Sequence, residues 1–281
     1  MKLSKSYFFT LREDVKDEDS RSGNLLVRSG MIKKVGSGIY MFLPLGLRVL
    51  DKIRYIVKDE MDKAGAQELL MPSIIPREVY DTCGRTEAFG KDMFNLNDRY
   101  EKPYVLGPTH EELFTIAAKS MVQSYKDLHF TLFQMSNKFR DEEHPEYGLM
   151  RKKEFLMADA YSFDADMSGL DVSYDKMYQT FKNIFKKCNL DTIVVKSNPE
   201  SMKGTTSEEF QVLCNFGDNE IVKCTTCSYS SNIEEASSLI KDKKDKSYDI
   251  KMLRKVYTPG VKTVKELKEY FNADDDKILK S

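Results

Sequence analysis

Residues His129 to Asp164, HFTLFQMSNKFRDEEHPEYGLMRKKEFLMADAYSFD, restrict the fold more than any other stretch of the chain. Phe130 to Arg140 is crowded with apolar and aromatic residues that favour a pleated, half-buried surface, which predicts a strand. Asp141 to Gly148 then supplies acidic residues, His144, Pro145 and a Gly, the chemistry of a turn. A second strand-like run starts at Leu149 and carries Arg151, Lys152, Lys153, Glu154 and Phe155. The stretch therefore predicts a hairpin with a long, charged loop. One Arg leaves the first strand, and another Arg and a Phe enter the second. That arrangement suits a flat aromatic ligand joined to a phosphate.

A hairpin alone does not fold, so the flanking sequence must supply a core. With 281 residues, 41% of them apolar, one large or two modest domains are expected. Lys plus Arg (44) nearly balances Asp plus Glu (45), so no global field argues for nucleic acid. No stretch is long enough to span a bilayer, and MKLSKSYFFTLRED lacks the apolar core of a signal peptide. Five Cys at scattered positions suit a reducing cytosol better than a disulfide framework, which predicts a cytoplasmic protein.

Ahead of the hairpin, Gly30 to Gly46 carries four Gly and one Pro among apolar residues, which predicts tight turns between short strands. It lacks the Gly-Lys-Ser/Thr ending of a phosphate loop. Leu47, Leu50, Ile53, Val57 and Met61 fall on one face of a helix that Gly65 would stop. AQELLMPSI reads as a strand interrupted by Pro72, which has no ladder donor and so belongs at an edge or an interface. In GPTHEE, Thr109 or Pro108 opens a helix, with Glu111 and Glu112 in its first turn. The lone Cys83 reads as packing.

Behind the hairpin, DVSYDKMYQTFKNIFKKC is the clearest helix, with Tyr174, Met177, Tyr178, Phe181, Ile184, Phe185 and Cys188 on one face. Strand-like pieces DTIVVKS, EEFQVLC and NEIVKC follow, two of them joined by a turn at Gly204, Thr205 and Thr206. Cys224 and Cys227 form a single CTTC pair. A structural zinc site needs four ligands, so no metal is assigned. Lys241 to Lys255 reads as a solvated linker, and Val264, Leu267, Tyr270 and Phe271 make a last helical stripe.

Several of these segments resemble one family in the same order along the chain. FRDEEHPEYGLMRKKEF resembles motif 2 of class II aminoacyl-tRNA synthetases, and LPLGLRVLDKIRYIVKDEMDKAGAQELLMPSI resembles motif 1, ending at Pro72. GPTHEE, FLMADAYSF, SEEFQVL and CSYSSNIEEA are similar to the bacterial-type prolyl-tRNA synthetases, and YTPGVKTVKEL resembles the entry to their inserted editing domain.

The resemblance implies an α+β fold: a class II antiparallel sheet flanked by helices, incomplete, over residues 1–240. Residues 241–281 would be a linker and the start of the editing insertion. It implies ATP-dependent activation of L-proline to prolyl-adenylate and transfer to tRNA(Pro), with Mg2+ on the phosphates. Arg140 would bridge the ATP α-phosphate and the proline carboxylate. Glu142, Arg151 and Phe155 would complete the ATP site, with Phe155 stacked on adenine. Thr109 and Glu111 would bind the proline ammonium, with Met157 and Tyr161 lining its ring pocket. Pro72 would lie at the interface of a homodimer.

The chain also departs from the family pattern. His144 and Glu146 stand in a loop that is Arg-rich in bacterial relatives, and Glu208 replaces a His in SEEF. The resemblance places the chain's end before motif 3 and the anticodon-binding domain, which implies weak or no activity of this chain by itself. Lys277 and Lys280 lie where an editing lysine is expected. Two rival readings follow: a non-catalytic synthetase-like binding module, and a class II synthetase for Thr or Ser. The retained Arg140, Glu142, Glu111 and Phe155 oppose the first, and Thr109 with Glu111 and the editing-domain entry opposes the second.

Overall fold

The computed structural model describes residues 2–146, 148–197, 207–215, 217, 219–237, 255–261 and 263–273. The predicted turn at Gly204–Thr206, most of the predicted linker, and Lys277 and Lys280 lie outside the described residues. The chain divides into two units, residues 1–236 and 237–281.

The first unit begins with α1 (Arg21–Arg28), capped by the Ser20 side chain, and the hairpin β1 (Ile32–Gly36) and β2 (Ile39–Phe42). Helix α2 (Pro44–Lys63) starts at the Pro, three residues before the predicted Leu47, because Pro is pre-set for a first helical turn. Gly65, at φ +78°, ends it, with Ala66 N donating to the Met61 carbonyl. Strands β3 (Gln67–Glu68) and β4 (Ile74–Pro76) follow. The predicted single strand is thus two, in different sheets, with exposed Pro72 at the break. Short helices α3 (Glu78–Asp81) and α4 (Arg85–Phe89) lead to β5 (Asn95–Asn97), β6 (Pro103–Leu106) and α5 (Glu111–Met121).

The hairpin is β7 (Phe130–Phe139) and β8 (Glu154–Phe163), antiparallel and in register from Phe130↔Phe163 to Phe139↔Glu154. The second strand begins at Glu154, not Leu149. The Lys153 N–H donates instead to Gly38 of the β1–β2 turn, and that diversion ends the ladder. Helix α6 (Met167–Lys187) starts four residues before the predicted Asp171, capped by Asp166, which accepts from Gly169 N. Next come β9 (Thr192–Lys196), β10 (Glu208–Val212), β11 (Ile221–Lys223) and a strand absent from the sequence reading, β12 (Ser230–Asn232). In the second unit, α7 (Val264–Phe271) carries a Thr263–Glu266 capping box.

Strand pairing gives separate sheets, ordered β3-β7-β8, β4-β6-β5, β10-β9-β12-β11 and β1-β2. Alternation decides which face of β7–β8 is core. Phe133 and Met135 pack with Met61, Ala66 and Ile184 beneath α2 and α6. Burying Phe133 alone is worth about 1.5–3 kcal/mol. The same alternation sends Gln134, Ser136 and Lys138 to the opposite face, beside their partners Asp159, Met157 and Phe155. A polar face backed by two helices positions the site.

Candidate functional site

Tyr161, Asp159, Met157 and Phe155 alternate along this face of β8. Against them stands the buried β6–α5 loop of Gly107, Pro108, Thr109 and His110. The helix cap is His110, one or two residues beyond the predicted Thr109 or Pro108, and no side chain caps α5. That frees Thr109 for the site. Its hydroxyl donates to Glu111 Oε2 and lies 3.5 Å from the Tyr161 hydroxyl. The Phe114 ring packs 4.3 Å from the Tyr161 ring.

Each acidic group at this end has a defined partner. Arg85 meets Glu111 at 3.5 Å and Glu112 at 3.3 Å, so one guanidinium serves two carboxylates. Glu112 Oε2 is buried without a partner. Asp159 accepts from Lys138 Nζ at 2.8 Å, and Lys138 is fully buried. Burial pushes the Lys138 ammonium below its usual range, while Asp159 opposes that shift. Burial pushes the Tyr161 hydroxyl well above the usual phenol range.

At the other end, the Arg140 backbone N–H donates to Lys153 O at 2.9 Å, adding one rung to the hairpin. The Arg140 guanidinium lies 5.4 Å from the centroid of the Phe155 ring, and its Nε donates to Pro108 O at 3.4 Å. The same loop thus links a basic end to an acidic end. Arg85, Lys138 and Arg140 balance Glu111, Glu112 and Asp159 in number but not in position. Glu111 lacks a cation of its own, and Arg140 lacks a carboxylate partner among the described contacts.

Of the sequence-predicted residues, the structure brings together Thr109, Glu111 and Tyr161, and stacks Arg140 on Phe155. Met157 lies between them on β8. Glu142 is half-buried just past Arg140, and Arg151 is exposed on the loop. The Pro72 carbonyl lies 3.1 Å from His110 Nε2.

Sequence reasoning missed Asp159, Lys138 and Arg85. Asp159 was findable, since it falls between Met157 and Tyr161 in the same alternation. Lys138 pairs with it across the strands. Arg85 gave no signal, because its approach depends on how α3 and α4 fold back on α5. Cys83, read as packing, is exposed near Glu112. Among the described residues no three His, Cys, Asp or Glu stand together as a metal cluster, and no helix is long and apolar enough to cross a membrane.

Residues 94–256 match the family of the tRNA synthetase class II core domain (G, H, P, S and T). All 281 residues align with the proline–tRNA ligase of Caldicellulosiruptor saccharolyticus at 44% identity and cover 49% of it. The Syntrophomonas wolfei proline–tRNA ligase aligns over the same span at 43%, again with 49% covered. The chain therefore spans about half the length of the curated relatives it matches. The Giardia lamblia prolyl-tRNA synthetase in complex with prolyl-adenylate superposes with a TM-score of 0.61 at 20% identity, covering 65% of this chain and 39% of that one. This last likeness is one of fold.

Proposed function

This chain belongs to the class II tRNA synthetase core-domain family, and we propose that it carries the proline-activating site of a proline–tRNA ligase. The observation that carries the reading is the separation of charge across the β6–α5 loop. Among the described residues, Glu111 shares its one cation with Glu112, while the Arg140 fork meets no carboxylate. A zwitterionic amino acid satisfies both ends at once, its ammonium on Glu111 and its carboxylate at Arg140.

In this reading the proline carboxylate attacks the ATP α-phosphorus and pyrophosphate leaves. A carboxylate is already a nucleophile, so the step needs no side-chain base. It needs positioning and charge stabilisation. Arg140 supplies both, holding carboxylate and α-phosphate together. Phe155 stacks on adenine, Arg151 reaches the terminal phosphates, and Met157 with Tyr161 bounds the pyrrolidine ring. Mg2+ would bridge the phosphates, where it takes few protein ligands. Glu142 would face the ATP side of the pocket.

The rest of the assignment follows the relatives: transfer to tRNA(Pro), a homodimer with Pro72 at its interface, a cytoplasmic setting, and residues 1–240 as catalytic domain with 241–281 opening an editing insertion. The test is calorimetric binding of L-proline, L-threonine and L-serine, with and without ATP, alongside proline-dependent ATP–pyrophosphate exchange. Proline-selective binding is the expected result. Equal binding of threonine or serine sinks the proline assignment.

A further inference from the structure

The hydrogen-bond chain behind the site has a direction, and that direction follows from counting protons. Gln134 is fully buried. Its Oε1 accepts from Met71 N at 3.0 Å, so its amide NH2 faces Asp159, 3.1 Å from Oδ2. Lys138 Nζ donates to Asp159 Oδ1 at 2.8 Å and to Ser136 Oγ at 2.7 Å. An ionised carboxylate only accepts, an ammonium only donates, and a hydroxyl has one proton to give. The Tyr161 hydroxyl therefore commits its proton to Asp159 Oδ2, at 2.8 Å. Thr109 commits its own to Glu111.

The Thr109 and Tyr161 oxygens consequently face each other at 3.5 Å with no proton between them. Each offers a lone pair. With Glu111 beside them, this end of the site holds, among the described residues, acceptors from three side chains and no hydroxyl donor.

We propose that Asp159, held by Lys138, is a positioning residue that fixes the polarity of this subsite, so that it selects a ring nitrogen carrying two N–H donors and rejects a ring oxygen. The inference rests on the proline reading above and deepens it. A secondary ammonium meets the acceptor set with both protons, whereas an ether oxygen in the same ring place sets lone pair against lone pair. Neither Asp159 nor Lys138 touches the ligand. They act through the direction of one O–H bond.

Asp159→Asn keeps the shape and reverses the polarity. Lys138 claims the Asn oxygen, so the Asn NH2 faces both Tyr161 and the Gln134 NH2; Gln134 loses its acceptor there, and the Tyr161 proton turns to the ligand side. The experiment measures binding of L-proline and of tetrahydrofuran-2-carboxylate to this chain by titration calorimetry. The variants are Asp159→Asn, Tyr161→Phe and their combination. The readout is the ratio of the two affinities, which a loss of folded fraction leaves unmoved.

Asp159→Asn is expected to narrow the proline preference at least tenfold, the scale of one charge-assisted hydrogen bond. Tyr161→Phe removes the acceptor, leaves the Lys138–Asp159 pair intact, and should narrow the ratio too. In the Tyr161→Phe background, Asp159→Asn should change the ratio less than twofold. An unchanged ratio in either single variant overturns the proposal, as does the same tenfold step in both backgrounds. Should Asp159→Asn not fold, the Tyr161→Phe result decides alone. Failure of the unmodified chain to bind proline sinks the proline reading itself and this inference with it.

Discussion

The Tyr80 hydroxyl donates to the backbone carbonyl of Thr109 at 2.6 Å, and both residues are buried. Tyr80 comes from α3, so a short helix far away in sequence fixes the loop that presents Thr109 and Glu111. Tyr80→Phe leaves that carbonyl unsatisfied, at a cost of about 1–3 kcal/mol. The expected outcome is a lowered urea midpoint together with weaker proline binding. Proline affinity that survives intact would show that the loop holds its shape without this bond.

Arg140→Lys keeps the charge and removes the planar fork and its stacking on Phe155. A hydrogen bond to a charged group is worth about 1.5–3 kcal/mol, so losing one bond of the fork should lower proline affinity about tenfold or more. Calorimetry reads the loss, and thermal unfolding should barely move.

His110 is fully buried, with Nε2 against the Pro72 carbonyl. A carbonyl only accepts, so Nε2 carries a proton, while Nδ1 is buried without a hydrogen-bond partner. Burial first, and then the charge of Lys138, hold its pKa below the usual range. In the unfolded chain this histidine titrates at about 6.5. Below that pH the unfolded state binds a proton that the folded state refuses, so stability is full above it and falls as the pH drops towards the folded value. Urea midpoints at pH 7.5 and 5.5 should show this fall, and His110→Gln should flatten it.

Gly46 lies in the first turn of α2, where Ala would ordinarily add about 1 kcal/mol of helix propensity. Here a Cβ would come 2.1 Å from the Met31 carbonyl oxygen, a backbone atom that cannot rotate away. Overpacking of that kind costs about 1–3 kcal/mol, so the clash wins and Gly46→Ala should destabilise. A higher melting temperature for the variant would falsify this.

Cys224 accepts from the Thr226 hydroxyl and N–H, and these contacts bring its thiol down to about 6. Thiolates are the reactive form. At pH 7, iodoacetamide should therefore label Cys224 ahead of Cys83 and Cys214, with a rate that halves near pH 6. Mass-resolved labelling across pH checks both points.

Periodicity carried the helices α2 and α6, and strand-favouring composition with turn chemistry carried the β7–β8 hairpin, because a buried face and a tight turn both leave local marks on the sequence. The segments that hold Arg140, Phe155, Thr109 and Glu111 stood out in the sequence because their order along the chain matches one family. Boundaries were less legible. The start of β8 depended on Lys153 N–H finding Gly38, and the break at Pro72 depended on β3 and β4 joining different sheets.

The amino-acid sequence by itself therefore determined most element types, the family, and Phe155, Met157 and Tyr161 on β8. Only the tertiary structure decided how their charges are paired. Arg85 reaches Glu111 and Glu112 from α4, Tyr80 reaches Thr109 from α3, and Lys138 meets Asp159 across two strands. Pairing and proton direction depend on distances between segments remote in sequence. A local pattern does not encode such distances; packing sets them.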